Sequence, residues 1–168
     1  MENNKTYYII IRGSLGAGKT TIAKKLAKQL NAEYVFFEIK LSKEVLKKLD
    51  EEGKNIPVEY FIKEFVTLIP KIKYILNNNK ISIIDGAFYY KELLEFIFNN
   101  LKYKKFVFDL KTSLDVCINR DKNRDLSYGK DAAEVVYNIT SSFDYGIPID
   151  VTKPINESIK EIVSYLPK

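Results

Sequence analysis

The chain has no histidine and a single cysteine among its 168 residues. The first absence excludes imidazole bases, histidine nucleophiles and histidine metal ligands. Any proton acceptor must therefore be a carboxylate, a lysine or a tyrosine. The second excludes an intramolecular disulfide and, with no histidine present, a structural zinc site. Cys117 itself lies in Leu114-Asp115-Val116-Cys117-Ile118 and reads as a buried helix residue rather than a nucleophile. No apolar run approaches the roughly 20 residues that cross a bilayer, so no membrane partner is expected. Repeats, low-complexity tracts and linkers are also absent, so residues 1–168 are expected to form one domain with a proper core. Met1-Glu2-Asn3-Asn4-Lys5 leads straight into the first apolar run. No signal peptide is expected, and the cytoplasm is the expected compartment.

What is present is ordinary in bulk: 46% hydrophobic and 29% charged residues, as in soluble globular proteins. The net charge of +5 permits nucleic-acid binding without favouring it. Lys43, Lys47 and Lys48, then Lys102, Lys104 and Lys105, fall on separate segments and read as solvated faces rather than a phosphate-tracking stripe.

One stretch stands apart. Tyr7-Tyr8-Ile9-Ile10-Ile11 has the length and composition of a strand. Gly13-Ser14-Leu15-Gly16-Ala17-Gly18-Lys19-Thr20 follows. Behind it, Ile22, Leu26 and Leu30 recur every four residues, with Ala23 and Ala27 alongside, as on one face of a helix. Strand, glycine-rich turn and helix form the setting in which G-x-x-x-x-G-K-[ST] acts as a phosphate-binding loop. Loop amides and the free N–H groups at the helix start cradle the phosphates, assisted by the helix dipole. Lys19 reaches the β- and γ-phosphates, and the Thr20 hydroxyl can ligate Mg²⁺. The nucleotide-binding set expected is Gly13, Ser14, Gly16, Ala17, Gly18, Lys19, Thr20 and Thr21.

Further along, Ala32 to Glu38 reads as a second strand. Ser42 caps a helix through Val45, Leu46 and Leu49. Pro57 opens another helix, which Pro70 should kink or split and Asn77-Asn78-Asn79 stops. Ile81 to Gly86 is a third strand, followed by a helix at Leu93 to Leu101. Phe106 to Leu110 is a fourth strand, and Thr112 or Ser113 caps the next helix, with another around Ala132 to Phe143. Gly146 to Asp150 is a fifth strand, short or at an edge because of Pro148. A last helix carries Ile155 to Leu166. Alternating strands and helices imply an α/β three-layer fold with a parallel sheet, whose ligands bind beyond the carboxyl ends of the strands.

Those ends carry the remaining candidates. Asp85 follows a short apolar strand, as a Walker B carboxylate does, and can hold Mg²⁺ or touch an acceptor. Glu38 ends the second strand and can accept a proton from an acceptor hydroxyl. A carboxylate beside a dication is a poor proton acceptor, so proton acceptance falls to Glu38 and metal or acceptor support to Asp85. Arg120 and Arg124, four apart, share a face if their helix persists. There they can stabilise transferring charge and clasp a base. Gly129-Lys130 suits a flexible lid, with Tyr128 and Lys130 as minor candidates. Phe88-Tyr89-Tyr90 either walls an acceptor pocket or packs on the sheet.

With these motifs the chain resembles the small P-loop kinases, the group of adenylate, shikimate, gluconate and polynucleotide kinases and zeta toxins. It is similar in particular to archaeal and bacterial kinase-like ATPases that share Asp85-Gly86-x-Phe88-Tyr89, Val116-Cys117-Ile118-x-Arg120-Asp121 and Phe143-Asp144-Tyr145-Gly146-Ile147. The resemblance implies a five-stranded sheet ordered 2-3-1-4-5 and a lid over about 120–131. It also implies adenine held between Arg120 and the loop Thr152 to Asn156. Members often carry Asp at the place of Glu38, and Lys40 or Lys43 stands where an acceptor-phosphate arginine is usual. The expected activity is transfer of the ATP γ-phosphate, with Mg²⁺, to a hydroxyl of a small molecule or a nucleic-acid 5′ end, by a monomer or homodimer. The alternatives are a nucleotide-binding switch or regulatory ATPase, and a nucleoside monophosphate kinase.

Overall fold

The computed structural model describes residues 6–125 and 127–167. Met1 to Lys5, on which the signal-peptide expectation rests, Leu126 inside the expected lid, and Lys168 lie outside the described residues. The elements run β1 (Tyr7–Gly13), α1 (Lys19–Leu30), β2 (Glu33–Phe37), α2 (Lys43–Glu51), α3 (Val58–Asn77), β3 (Ser82–Gly86), α4 (Lys91–Asn100), β4 (Lys104–Lys111), α5 (Leu114–Lys122), α6 (Lys130–Ser141), β5 (Ile147–Asp150) and α7 (Ile155–Ser164).

The five strands form one parallel sheet in the order β2-β3-β1-β4-β5. β1 is central and buried along its whole length, which is why it reads as a continuous apolar run rather than an alternation. One face packs on α1 and α7 through Ile22, Leu26, Ile159 and Ile162. The other packs on α3 and α4 through Phe61, Phe65, Ile72, Leu93 and Ile97. β5 is an edge strand, where Pro148 costs no ladder bond to a further strand. Gly86 closes β3 where the backbone of β2 comes so near that an added Cβ would overlap the Phe37 carbonyl. The carboxyl ends of β1, β2 and β3 therefore open side by side onto one cleft.

Two local expectations are corrected. Pro70 neither splits nor ends its helix, since α3 runs unbroken through it. Proline deprives the Val66 carbonyl of its usual donor, but Val66 and Pro70 are both exposed, so water can serve that carbonyl and the packed face is untouched. The charge cluster after Cys117 is only partly helical. α5 ends at Lys122 with Asn123 as its C-cap, so Arg124 lies outside the helix and shares no helical face with Arg120.

Candidate active site

The loop between β1 and α1 holds its shape by packing against α5. Gly16 has φ 78°, and a Cβ there would overlap the Cys117 carbonyl. Gly16→Ala is therefore expected to destabilise the protein by about 1–3 kcal/mol, the cost of a strained backbone conformation, and to weaken nucleotide binding as the loop shifts. Urea unfolding and calorimetry check both. Cys117 is fully buried behind the loop. Burial pushes its thiol up, the hydrogen bond to Ser14 opposing, so it is a packing residue and a poor nucleophile. Ala17 is buried beneath the loop, and the Ser14 carbonyl accepts from the Ala17 amide at 3.3 Å. Gly18 caps α1 in the left-handed region.

Lys19 folds back over this loop, and its Nζ donates to the Ser14 carbonyl at 2.8 Å. Desolvation pulls the ammonium down to about 8, the charge of Asp85 drawing it back up and that of Arg124 adding to the fall. Three groups of the candidate set thus feel one another's charge at one point.

Asp85 is fully buried at the end of β3. Its Oδ2 accepts from the Tyr34 hydroxyl at 3.0 Å. Its Oδ1 is buried without a hydrogen-bond partner among the described residues. Burial and the Asp85 charge push the Tyr34 phenol well above its ordinary value, with a hydrogen bond to Thr20 opposing. An unpartnered carboxylate oxygen and a threonine hydroxyl on one cleft form an all-oxygen donor set suited to a hard dication such as Mg²⁺. The residues present fit that ion.

A cleft of about 1100 Å³ joins these groups, at or beyond the upper end of single-ligand pockets at roughly 300–1,000 Å³. It is lined by Gly16, Gly18, Lys19, Thr20, Thr21 and Asp85, and by Arg120 and Arg124. Arg120 donates to the Val151 carbonyl at 2.9 Å, which brings it to the end of β5 and the start of the loop Thr152 to Asn156. Arg124 is held more loosely, 3.6 Å from Asp121 Oδ1 and 5.7 Å from the centre of the Tyr128 ring. The same cleft is lined by Glu38 with Phe36, Leu46, Phe61, Tyr89 and Tyr90, and by Val135 and Ile139 of α6. Glu38 is exposed just past β2. Tyr89 both packs on Phe61, with ring centres 5.7 Å apart, and lines the cleft, so the two roles considered for it are compatible. Its phenol is pushed up by burial, then by Tyr128 and Asp85, with Arg124 opposing. The lysines on this wall are Lys47 and Lys54, in place of Lys40 and Lys43. Gly13 and Ser14 border a smaller cavity behind the loop with Thr112. Lys130 pairs with Glu134 at 3.7 Å.

Three residues that matter to this geometry escaped the sequence reading. Arg12 is buried in β1 directly before the loop. It pairs with Asp109 at 2.5 Å, donates to the Thr140 carbonyl at 2.8 Å and to the Phe88 carbonyl at 3.4 Å, and lies 4.3 Å from the centre of the Phe143 ring. One guanidinium thus ties the central strand to both walls of the cleft. Asp121 is buried at the end of α5, and its Oδ2 accepts from the Ser127 hydroxyl at 2.8 Å, the Tyr128 amide at 3.0 Å and the Gly129 amide at 3.2 Å. It anchors the segment between α5 and α6. Tyr34 is the third. The signal for the first was available: an arginine and an aspartate, each inside an otherwise apolar strand.

The arrangement presents lysine and arginine cations, carboxylates and a threonine hydroxyl to one cleft, a set suited to a polyphosphate, a divalent cation and a second ligand. Comparison with known proteins agrees with that outline. The model of the family described as "Chromatin associated protein KTI12" matches residues 8–145. A sugar kinase from Janibacter sp. HTCC2649, solved unliganded, superposes with a TM-score of 0.77 at 18% identity, covering 95% of this chain and 94% of its own. A gluconokinase from Sinorhizobium meliloti 1021 gives 0.71 at 13% identity, over 96% and 92%. A deoxyadenosine kinase from M. mycoides with bound dATP gives 0.62 at 20% identity, over 94% and 97%. At such identities the likeness establishes the fold, that of the small P-loop kinases. No curated protein matches by sequence.

Proposed function

Because the chain belongs to the KTI12 family of chromatin associated proteins and has the fold of small P-loop kinases, we propose that it is an ATP-dependent phosphotransferase acting on a hydroxyl acceptor. The observation that carries this reading is the meeting of Lys19, Thr20, Asp85, Glu38, Arg120 and Arg124 on one cleft with room beyond them for a second ligand.

Each residue has a share. Loop amides and Lys19 hold the β- and γ-phosphates. Thr20 and Asp85 would hold Mg²⁺, which when bound neutralises charge between those phosphates. Arg124 stabilises charge on the transferring phosphoryl group, and Arg120 stacks on the base beside Val151. Glu38 accepts the acceptor's proton and orients its hydroxyl. Phosphoryl transfer involves a loose transition state, so positioning and charge stabilisation outweigh proton removal.

Much of the cleft is walled by aromatic and aliphatic side chains. That wall favours an acceptor whose hydroxyl is carried on a flat or apolar body over a bare polyol, which would leave it wet. The test is ATP consumption in the presence of sugars, polyols, nucleosides, nucleotides and 5′-hydroxyl oligonucleotides. Acceleration by a ring-bearing class, and not by polyols, is expected. If no acceptor class accelerates turnover, the kinase reading fails. The second reading is a regulatory ATPase, which the family's description as chromatin associated favours. It calls for ATP-dependent association with a partner and no acceptor requirement.

A further inference from the structure

We propose that Tyr34, on the edge strand β2, is the positioning residue of the divalent-cation site, its phenol orienting the Asp85 carboxylate. The inference rests on the reading of the cleft as a Mg·nucleotide site and adds a residue to it.

The hydrogen bond has a fixed direction. The Tyr34 hydroxyl donates to Asp85 Oδ2 at 3.0 Å, so its own hydrogen is committed. The consequence for a cation is specific. A carboxylate must be kept from rotating, and Tyr34 fixes one oxygen of Asp85 while Oδ1, buried and without a partner among the described residues, stays available. Outer-shell partners of this kind orient ligands and tune metal affinity.

The ring is itself well held. Tyr34 stands opposite Ile83 in the β2–β3 register, packs against the core shared by α1 and α7, and has the Lys24 ammonium 5.7 Å from its ring centre. Packing alone would be satisfied by phenylalanine. The hydroxyl is the part that packing leaves unexplained, and its hydrogen bond goes to the carboxylate assigned to the metal.

Tyr34→Phe keeps the ring and removes the hydrogen bond to Asp85. In the whole protein, Mn²⁺ binding to the ADP complex is followed by electron paramagnetic resonance, and ADP binding without metal by calorimetry. The variant is expected to bind Mn²⁺ about 10–100-fold more weakly while its metal-free ADP affinity stays within twofold of wild type. In an Asp85→Asn background, Tyr34→Phe should add nothing further, since the two act as one unit. Unchanged Mn²⁺ affinity in Tyr34→Phe would overturn the proposal. So would an equal loss of metal-free ADP affinity, which would make Tyr34 a structural support of the loop. A wild-type protein that binds ADP with no metal uptake overturns the Mg·nucleotide reading itself, and the inference with it.

Discussion

Replacing Arg124 by alanine is expected to lower kcat for phosphoryl transfer by about two to five decades, the range spanned by oxyanion-type donors and arginine fingers, with a much smaller effect on ATP binding. The reason lies in how differently the two arginines are held. Arg120 is committed to the Val151 carbonyl at 2.9 Å, a neutral partner at the end of β5 that fixes its place. Arg124 sits 3.6 Å from Asp121 Oδ1, too long for a good hydrogen bond, and over the Tyr128 ring at 5.7 Å. Asp121 has already spent its Oδ2 on the loop Ser127 to Gly129. A phosphoryl group carrying developing negative charge competes easily for so loosely held a guanidinium. Arg120→Ala should instead raise the KM for ATP through loss of base contact. Steady-state kinetics on both variants separates the two effects. Wild-type kcat and KM in both would reduce the pair to a solvated helix end.

The second large effect concerns stability. Arg12→Met is expected to cost about 3–5 kcal/mol, as when one member of a buried ion pair is removed. For a chain of this size that is a fall in Tm of about 6–20 °C. The lower end is the better expectation, because Asp109 keeps Lys111 at 2.9 Å. Asp109→Leu should cost more than Arg12→Met, since it leaves a fully buried guanidinium with only two carbonyls and a ring. The double variant Arg12→Met/Asp109→Leu should recover part of the loss, because no charge is stranded, and not all of it, because the Thr140 and Phe88 carbonyls lose their donor. Chemical denaturation of the three variants is the check. Single variants within 1 kcal/mol of wild type would show the network to be incidental, and with it the idea that Arg12 braces both walls of the cleft.

How much of this was legible in the chain follows from range. The phosphate-binding loop, the five strands and the caps at Ser42 and Ser113 are set by residues close in sequence, through periodicity and turn chemistry, and the parallel sheet follows from their alternation. Arg120 and Arg124 fit a helical spacing, which holds only if the helix persists; Asn123 as C-cap and the hydrogen bonds of Asp121 to the Tyr128 and Gly129 amides end α5 before it can. The Arg12–Asp109 pair depends on the β1–β4 register, in which the two residues stand side by side although 97 positions apart. Each residue alone looks like a flaw in an apolar strand. Tyr34 was hidden for a similar reason: in an aromatic strand its hydroxyl has no meaning until β3 brings Asp85 beside it.

The central claim is that this cleft moves a phosphoryl group from ATP to an organic hydroxyl. The direct measurement is the fate of a radiolabelled γ-phosphate, with the acceptor class that accelerates ATP consumption, in wild-type protein and in Lys19→Ala. Label on the organic acceptor in the wild type, and its loss in a Lys19→Ala variant that remains folded, is the predicted result. Label released only as inorganic phosphate whatever acceptor is supplied, or transfer by Lys19→Ala at the wild-type rate, would contradict it.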